Sequence, residues 1–437
     1  MPGHGTLRAT ARVFSSSTGV KVAQAGASLA ATALLARLLG PGGFGIYAFA
    51  YAAVSLIAMP TTFGIPQLVV RETARHAATG DWPAVKTLWR WATVRVIGLA
   101  TLAAAALIGI GIYKGAWRGD SVGLTLALGA LLVPLIALGN LRGNALRGLG
   151  HVVVGQLPER VFRPALLAGV AVLLYLWQLG PLSAPVAIGL HAVAAGVAFG
   201  AGAWLLHRRR PAALRFEQAG PAMGRTWWRA SWPLGLSAGM LTVVQHTDVL
   251  MLGLLRPDAE AGVYRAAAQT ALLVVFGAQA VNAAIAPAIA GSHSQGDTAT
   301  LRRTTRFAAQ AMAVTALPFA AVFIFAGRDV LTLVFGAGFA TGGAALAVLA
   351  AGRAIHATFG PVGVLLNMTG HERAALQASA FAAGANLLLN AALIPSLGLI
   401  GAAIATTLAL VLWNAMLWLA VRRKLGFQPA AIGPADG

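Results

Sequence analysis

Twelve runs of about 20 apolar residues leave this chain one kind of fold. They fall at about 17–38, 44–65, 92–113, 121–141, 157–178, 183–206, 231–254, 262–286, 306–326, 341–367, 374–394 and 399–420. A helix that crosses a bilayer needs about 20 such residues, whereas a barrel strand needs about ten and alternates in polarity. These runs do not alternate. Hydrocarbon offers the backbone no hydrogen-bond partner, so each run must satisfy its own amides as a helix. With only 10% charged residues and a mean hydropathy of +0.75, a soluble domain is excluded. The expectation is an all-α polytopic membrane protein.

A net charge of +20 raises the question of a nucleic-acid partner, and the placement of the basic residues argues against one. Leaving out Lys21, Arg265 and Arg353, which lie inside spans, Lys and Arg divide 24 to 5 between alternate loops. That asymmetry orients a membrane protein with its basic loops in the cytoplasm, which puts both termini there. The short basic stretch before the first span has no small-residue cleavage site, so helix one reads as retained. Cysteine is absent, which removes disulfides and thiolate metal sites from consideration. No cofactor is expected beyond an H+ or Na+ gradient.

The one long connection, residues 208–230, is basic and carries Pro211 and Pro221. It suggests an N-terminal lobe over 1–207, a linker over 208–230, a C-terminal lobe over 231–424 and a tail over 425–437. The halves repeat weakly at an offset of roughly 216 to 221 residues. Leu38-Leu-Gly-Pro41 and Gly45-Ile-Tyr47 return as Leu254-Leu-Arg-Pro257 and Gly262-Val-Tyr264. Gly80-Asp81 returns as Gly296-Asp297, and Gly150-His151 as Gly370-His371. Six spans per half give two parallel, pseudo-symmetric six-helix lobes around a central cavity.

Polar residues inside spans mark the candidate site, because burying a charge in lipid is costly. In span one Ser17, Lys21, Gln24, Ser28 and Thr32 share a narrow arc at 3.6 residues per turn. In span eight Arg265 lines up with Gln269 and Gln279. Span ten aligns Arg353 with His356, Gly360 and Asn367. Three cations on three helices favour an anionic cargo. Among the acids, Asp248 lies deepest, on a face with Ser237 and Gln245, and the repeat sets it opposite Thr32. It reads equally as a coupling-ion site and as a structural pair. Glu159, at the mouth of span five, is a second coupling candidate, although a local pair with Arg163 at i, i+4 accounts for it. Tyr47 and Tyr51, one turn apart, could stack on sugar rings. Trp82, Trp89, Trp91, Trp227, Trp228 and Trp232 read as interfacial anchors. No phosphate-binding glycine loop and no His-Glu-x-x-His motif occurs, and no outer loop is long enough for a polymerase or glycosyltransferase site.

Ala36-Arg-Leu-Leu-Gly-Pro-Gly-Gly-Phe-Gly-Ile-Tyr-Ala-Phe-Ala50, then Phe63-Gly-Ile-Pro-Gln-Leu-Val-Val-Arg-Glu-Thr-Ala74 and Gly80-Asp81, resembles the opening of the polysaccharide-biosynthesis flippases. These belong to the multidrug, oligosaccharidyl-lipid and polysaccharide exporter superfamily. The resemblance implies movement of an undecaprenyl-pyrophosphate-linked oligosaccharide across a bacterial inner membrane by alternating access, with a polymerase and glycosyltransferases as partners. By similarity to the lipid II flippases, cations on spans one and eight would hold the pyrophosphate, which are Lys21 and Arg265 here. Those relatives carry two further spans for which there is no room after Lys424. A drug or metabolite antiporter is the other reading within the superfamily; Lys21, where the multidrug branch often has an acid, counts against it.

Overall fold

In the computed structural model the described residues are 4–177, 182–216, 220 and 223–428, with the side chains of 4–18, 215–216, 237–238 and 241 excepted. The polar seam's Ser17, the Ser237 neighbour of Asp248 and the tail from 429 therefore lie outside the described side chains. All regular structure among the described residues is helical, and the twelve expected spans are present. Spans one and two form His4–Thr62, and spans eleven and twelve form Glu372–Leu425. Span three is Trp82–Tyr113, span six Ala184–Arg209, span seven the second half of Gly224–Leu255, and span nine Thr298–Phe325.

Glycine makes the two sharp turns inside the long pairs. Gly40 takes φ 65° and Gly398 takes φ 56°, left-handed values that a side chain resists. At Gly398 the turn is also clasped. The Glu260 carboxylate accepts from the Leu399 amide at 3.0 Å and pairs with Arg256 at 2.9 Å, filling the space where a Cβ at 398 would stand. Three helices that follow loops begin on aspartate caps: Asp81 accepts from the Ala84 amide, Asp120 from Gly123 and Asp297 from Thr300. The repeat thus reproduces a cap, Asp81 and Asp297, as well as a sequence match.

Several spans are interrupted where the sequence reads as continuous. Span five passes through a π-helical turn at Pro158–Phe162, and span eight through a 3₁₀ turn at Leu272–Val275. Span ten ends at Gly360, φ 76°, before Val362–Met368 resumes. Asn367 consequently sits on a different helix from Arg353 and is exposed, which breaks the expected face.

The chain forms two compact units, Met1–Thr242 and Val243–Gly437. The division falls within span seven rather than at the 208–230 linker. The first half of that helix packs on lobe one: Trp227 is 3% exposed and meets Trp91 at 5.5 Å, and Gly235 abuts Phe63. Trp227 is therefore a core residue and not an interfacial anchor, and Trp89 is likewise engaged, donating to Thr73. In lobe two a core of Ile289, Leu301, Leu365, Leu366, Leu417 and Val421 joins spans eight to twelve.

The clasp generates a prediction. Gly40→Ala meets open space and adds only backbone strain, costing about 1–2 kcal/mol. Gly398→Ala adds a collision with Glu260, so its thermal unfolding midpoint falls further; equal midpoints would show that the clasp is not rigid.

Candidate functional site

Lobe two closes on a buried carboxylate. Asp248, 5% exposed, lies on span seven among groups from spans eight, eleven and twelve. Its Oδ2 accepts from the Tyr264 hydroxyl at 2.6 Å and from the Thr406 hydroxyl, and its Oδ1 accepts from Asn390 Nδ2 at 2.7 Å. Asn386 donates to Thr406 at 3.5 Å. Hydrogen bonds to a charged group contribute roughly 1.5–3 kcal/mol each, and several are needed to hold an anion inside a lobe. The Oδ1 atoms of Asn386 and Asn390 are buried with no donor. A carboxylate, a phenol, a threonine hydroxyl and two side-chain amides gathered in one lobe are oxygen-bearing groups of the kind that can hold a proton or a small monovalent cation. Among the described residues there is no cluster of three or more His, Cys, Asp or Glu that could hold a metal.

Sequence reading found Asp248 but not its partners. The signal was present in Leu389-Asn390 and Asn386, two amides at i, i+4 on one face of an apolar helix. Gln245, expected to share the Asp248 face, is exposed instead. Arg353 of span ten has its Nε–H buried and without an acceptor. His356, one turn on, is tied to Asn414 at 2.9 Å and stacks on Trp413. Arg265 and Gln269 are half-buried on span eight, and among the described residues neither has a hydrogen-bond or ion-pair partner.

Lobe one builds a different centre at the equivalent positions. Tyr47, the repeat partner of Tyr264, bonds through its hydroxyl to His191 Nδ1 of span six at 2.8 Å, as the Tyr264 hydroxyl meets Thr406 of span twelve. Thr32, opposite Asp248, donates to the Ser28 carbonyl at 2.7 Å. Tyr51 stacks on His191 with centroids 5.1 Å apart. Tyr47 is 7% exposed, so its ring is part of the lobe interior and offers a sugar no open face.

Below this centre Glu159 pairs with Arg163 at 3.5 Å, the i, i+4 partner expected from sequence. Arg142 of span four, not anticipated, lies across the same cluster. It donates to the Phe199 carbonyl and stacks on that ring at 3.3 Å to the centroid. Gly139 leaves the room that the Glu159 carboxyl occupies, and a cavity of ≈ 10 Å³, space for about one water, opens between Arg142, Glu159 and Gly202. Lys21 and Gln24, on the first span, are half-buried and likewise have no hydrogen-bond or ion-pair partner among the described residues.

A family model described as polysaccharide biosynthesis protein matches residues 11–293, and one described as lipid II flippase MurJ matches 170–433. No curated protein matches the sequence. Among solved structures, an inward-facing multidrug resistance MATE family transporter of the MOP superfamily is 14% identical, covering 92% of this chain and 94% of that one, with a TM-score of 0.70. The lipid II flippase MurJ in an inward closed conformation is 11% identical over 94% of this chain and 87% of that one, also at 0.70. A MOP superfamily transporter from Pyrococcus furiosus, reported with a binding pocket of reversed polarity, is 14% identical over 95% of each chain, at 0.65. These likenesses establish the fold.

Removing the Glu159 charge leaves the Arg163 guanidinium in lobe one without its acid. Glu159→Gln is expected to destabilise the protein on the order of 3 kcal/mol, read as a lowered unfolding midpoint; an unchanged midpoint would make the pair superficial.

Proposed function

The chain belongs to the polysaccharide biosynthesis protein family, and on that premise we propose that it flips an undecaprenyl-pyrophosphate-linked oligosaccharide across the bacterial inner membrane. It is a multi-pass membrane transporter and not an enzyme. The observation that carries the substrate reading is the distribution of charge within the spans. The deep acid, Asp248, is spent on hydrogen bonds inside lobe two, while Lys21 and Arg265 have no ion-pair or hydrogen-bond partner among the described residues. Unpaired cations in a membrane-length helix favour an anionic group, and a pyrophosphate supplies several charge-assisted acceptors at once. Lys21 with Gln24 and Arg265 with Gln269 are the contacts assigned to it. The basic loops are cytoplasmic in this reading, so cargo enters from the side of its synthesis, where glycosyltransferases act, and leaves toward a polymerase.

Coupling is assigned to Asp248. Its node gathers oxygen atoms from four helices of one lobe, so taking up or losing H+ or Na+ would change how those helices pack. The lobe-one node has Thr32 and His191 where lobe two has the carboxylate and the threonine, which supports a coupling site in lobe two. Glu159 is paired with Arg163 and serves lobe one as a structural acid. A multidrug or metabolite antiporter is the alternative, suggested by the MATE likeness. Competition separates the two, because a cationic dye binds poorly beside unpaired Lys21 and Arg265.

Lys21→Ala and Arg265→Ala are each expected to lower glycan export about tenfold at normal membrane abundance. Export unimpaired in both would remove the phosphate assignment. Asp248→Asn is expected to abolish gradient-driven transport in vesicles while facilitated binding of the lipid-linked substrate persists; undiminished gradient dependence would remove the coupling role.

A further inference from the structure

The charge cluster of lobe one encloses a space that its own side chains leave open. Arg142 and Gly143 wall it from span four, Pro158 and Glu159 from span five, and Gly202 from span six. Gly143 and Gly155 approach so closely that a Cβ on either would strike the other's carbonyl oxygen, which draws the helices on that side together. At Gly202 the reverse holds. A Cβ there would stand 3.7 Å from Arg142 Nη1 and from the Pro158 ring, in ordinary contact, so the absent side chain leaves room and relieves no clash.

The polar groups around this space are unequally served. Arg142 gives Nη1 to the Phe199 carbonyl, while its Nη2 is buried without an acceptor among the described residues. Arg163 Nη1 is 3.5 Å from Glu159 Oε2, close enough for an ion pair and long for a hydrogen bond, and is likewise buried without one. A buried charged donor left unbonded is costly, so the chemistry of the walls specifies an occupant. It must accept from a guanidinium beside a carboxylate, in a volume of ≈ 10 Å³. An anion meets Glu159 as a like charge, and a metal cation meets Arg142 and Arg163. Water is neutral, both accepts and donates, and fills such a volume with one molecule.

The internal repeat supplies a control. The offset that carries Gly150-His151 to Gly370-His371 sets Arg142 against Val362, Gly155 against Ala375 and Glu159 against Ser379. Val362 is 1% exposed and belongs, with Leu417 and Val421, to an apolar core on which Ala375 packs. Ser379 accepts from Trp413 Nε1 at 3.1 Å. Lobe two fills the equivalent place with hydrocarbon and a side-chain partner, so the scaffold itself does not require a polar space there.

We propose that lobe one is built around one resident water, which accepts from Arg142 Nη2 and donates to the Glu159 carboxylate. A bridging water is nearly as favourable in enthalpy as a direct hydrogen bond. It joins span four to span five beside the π-helical turn at Pro158–Phe162 and ties Arg142 to the acid that Arg163 already pairs. Gly202 is the positioning residue, since its missing side chain makes the site. The site is separate from the Asp248 node and from Lys21 and Arg265, and it does not depend on what the protein carries.

Unfolding midpoints of purified full-length Gly202→Ala and Gly202→Ser test it. Helix propensity alone raises the midpoint of the alanine variant above the wild type and places serine below alanine. Displacement of a bonded water reverses both signs: alanine falls below the wild type because its methyl strands Arg142 Nη2, and serine stands above alanine because its hydroxyl takes the water's place. Any other order overturns the proposal, and so does failure of both variants to fold, which would show that the space does not admit a Cβ. A second measurement needs no variant. Exchanging chloride for gluconate at constant ionic strength is expected to leave the wild-type midpoint unchanged; a chloride-dependent midpoint that Arg142→Gln abolishes would make the occupant an anion and overturn the assignment to water.

Discussion

Hydrocarbon offers no partner to a polar group, and that constraint shapes this protein at every level. It forces the backbone of twelve spans into helices, and it forces each intramembrane side chain either to find partners within its lobe or to keep its charge where water or cargo can meet it. Asp248, Tyr264, Thr406 and Asn390 show the first outcome, a carboxylate fully bonded inside lobe two. Lys21 shows the second.

The two lobes are variations on one scaffold. Each places a tyrosine from its second span against its sixth, Tyr47 on His191 and Tyr264 on Thr406, and each starts its third span on an aspartate cap. What differs is charge. Lobe two adds Asp248 and Arg353 where lobe one has Thr32 and Val133, while lobe one adds Arg142, Glu159 and Arg163 next to a π-helical turn in span five. Such turns inside helices often accompany functional or mobile segments, because they leave carbonyls unsatisfied and weaken the helix locally. The asymmetry gives the two halves different sets of intramembrane charges on one scaffold.

The spans were legible because a run of 20 apolar residues has a single viable conformation in lipid. The breaks within them were less legible. Gly360 and Pro361 separate Asn367 from the Arg353 face, a rotation that uniform helical periodicity cannot anticipate. Trp227 has the composition of an interfacial anchor, yet tertiary packing against Trp91 buries it. In the same way Gln245, three residues from Asp248, looks like its neighbour in a helical projection but is turned to the outside of the lobe.

By itself the sequence determined the fold class, the number of spans, the internal repeat and the charged residues that need an explanation, since hydropathy and loop charge act along the chain and are read locally. Only the tertiary structure decided what each charge does. Asn386, Asn390 and Thr406 lie more than 130 residues from Asp248 in the chain, and their meeting depends on how spans eleven and twelve pack on spans seven and eight. Arg142 and Glu159 line one small cavity for the same reason, beside glycines at 139 and 202 that leave room for their side chains. A side chain's cost in the membrane is fixed by its own chemistry, but its partner is fixed by the fold.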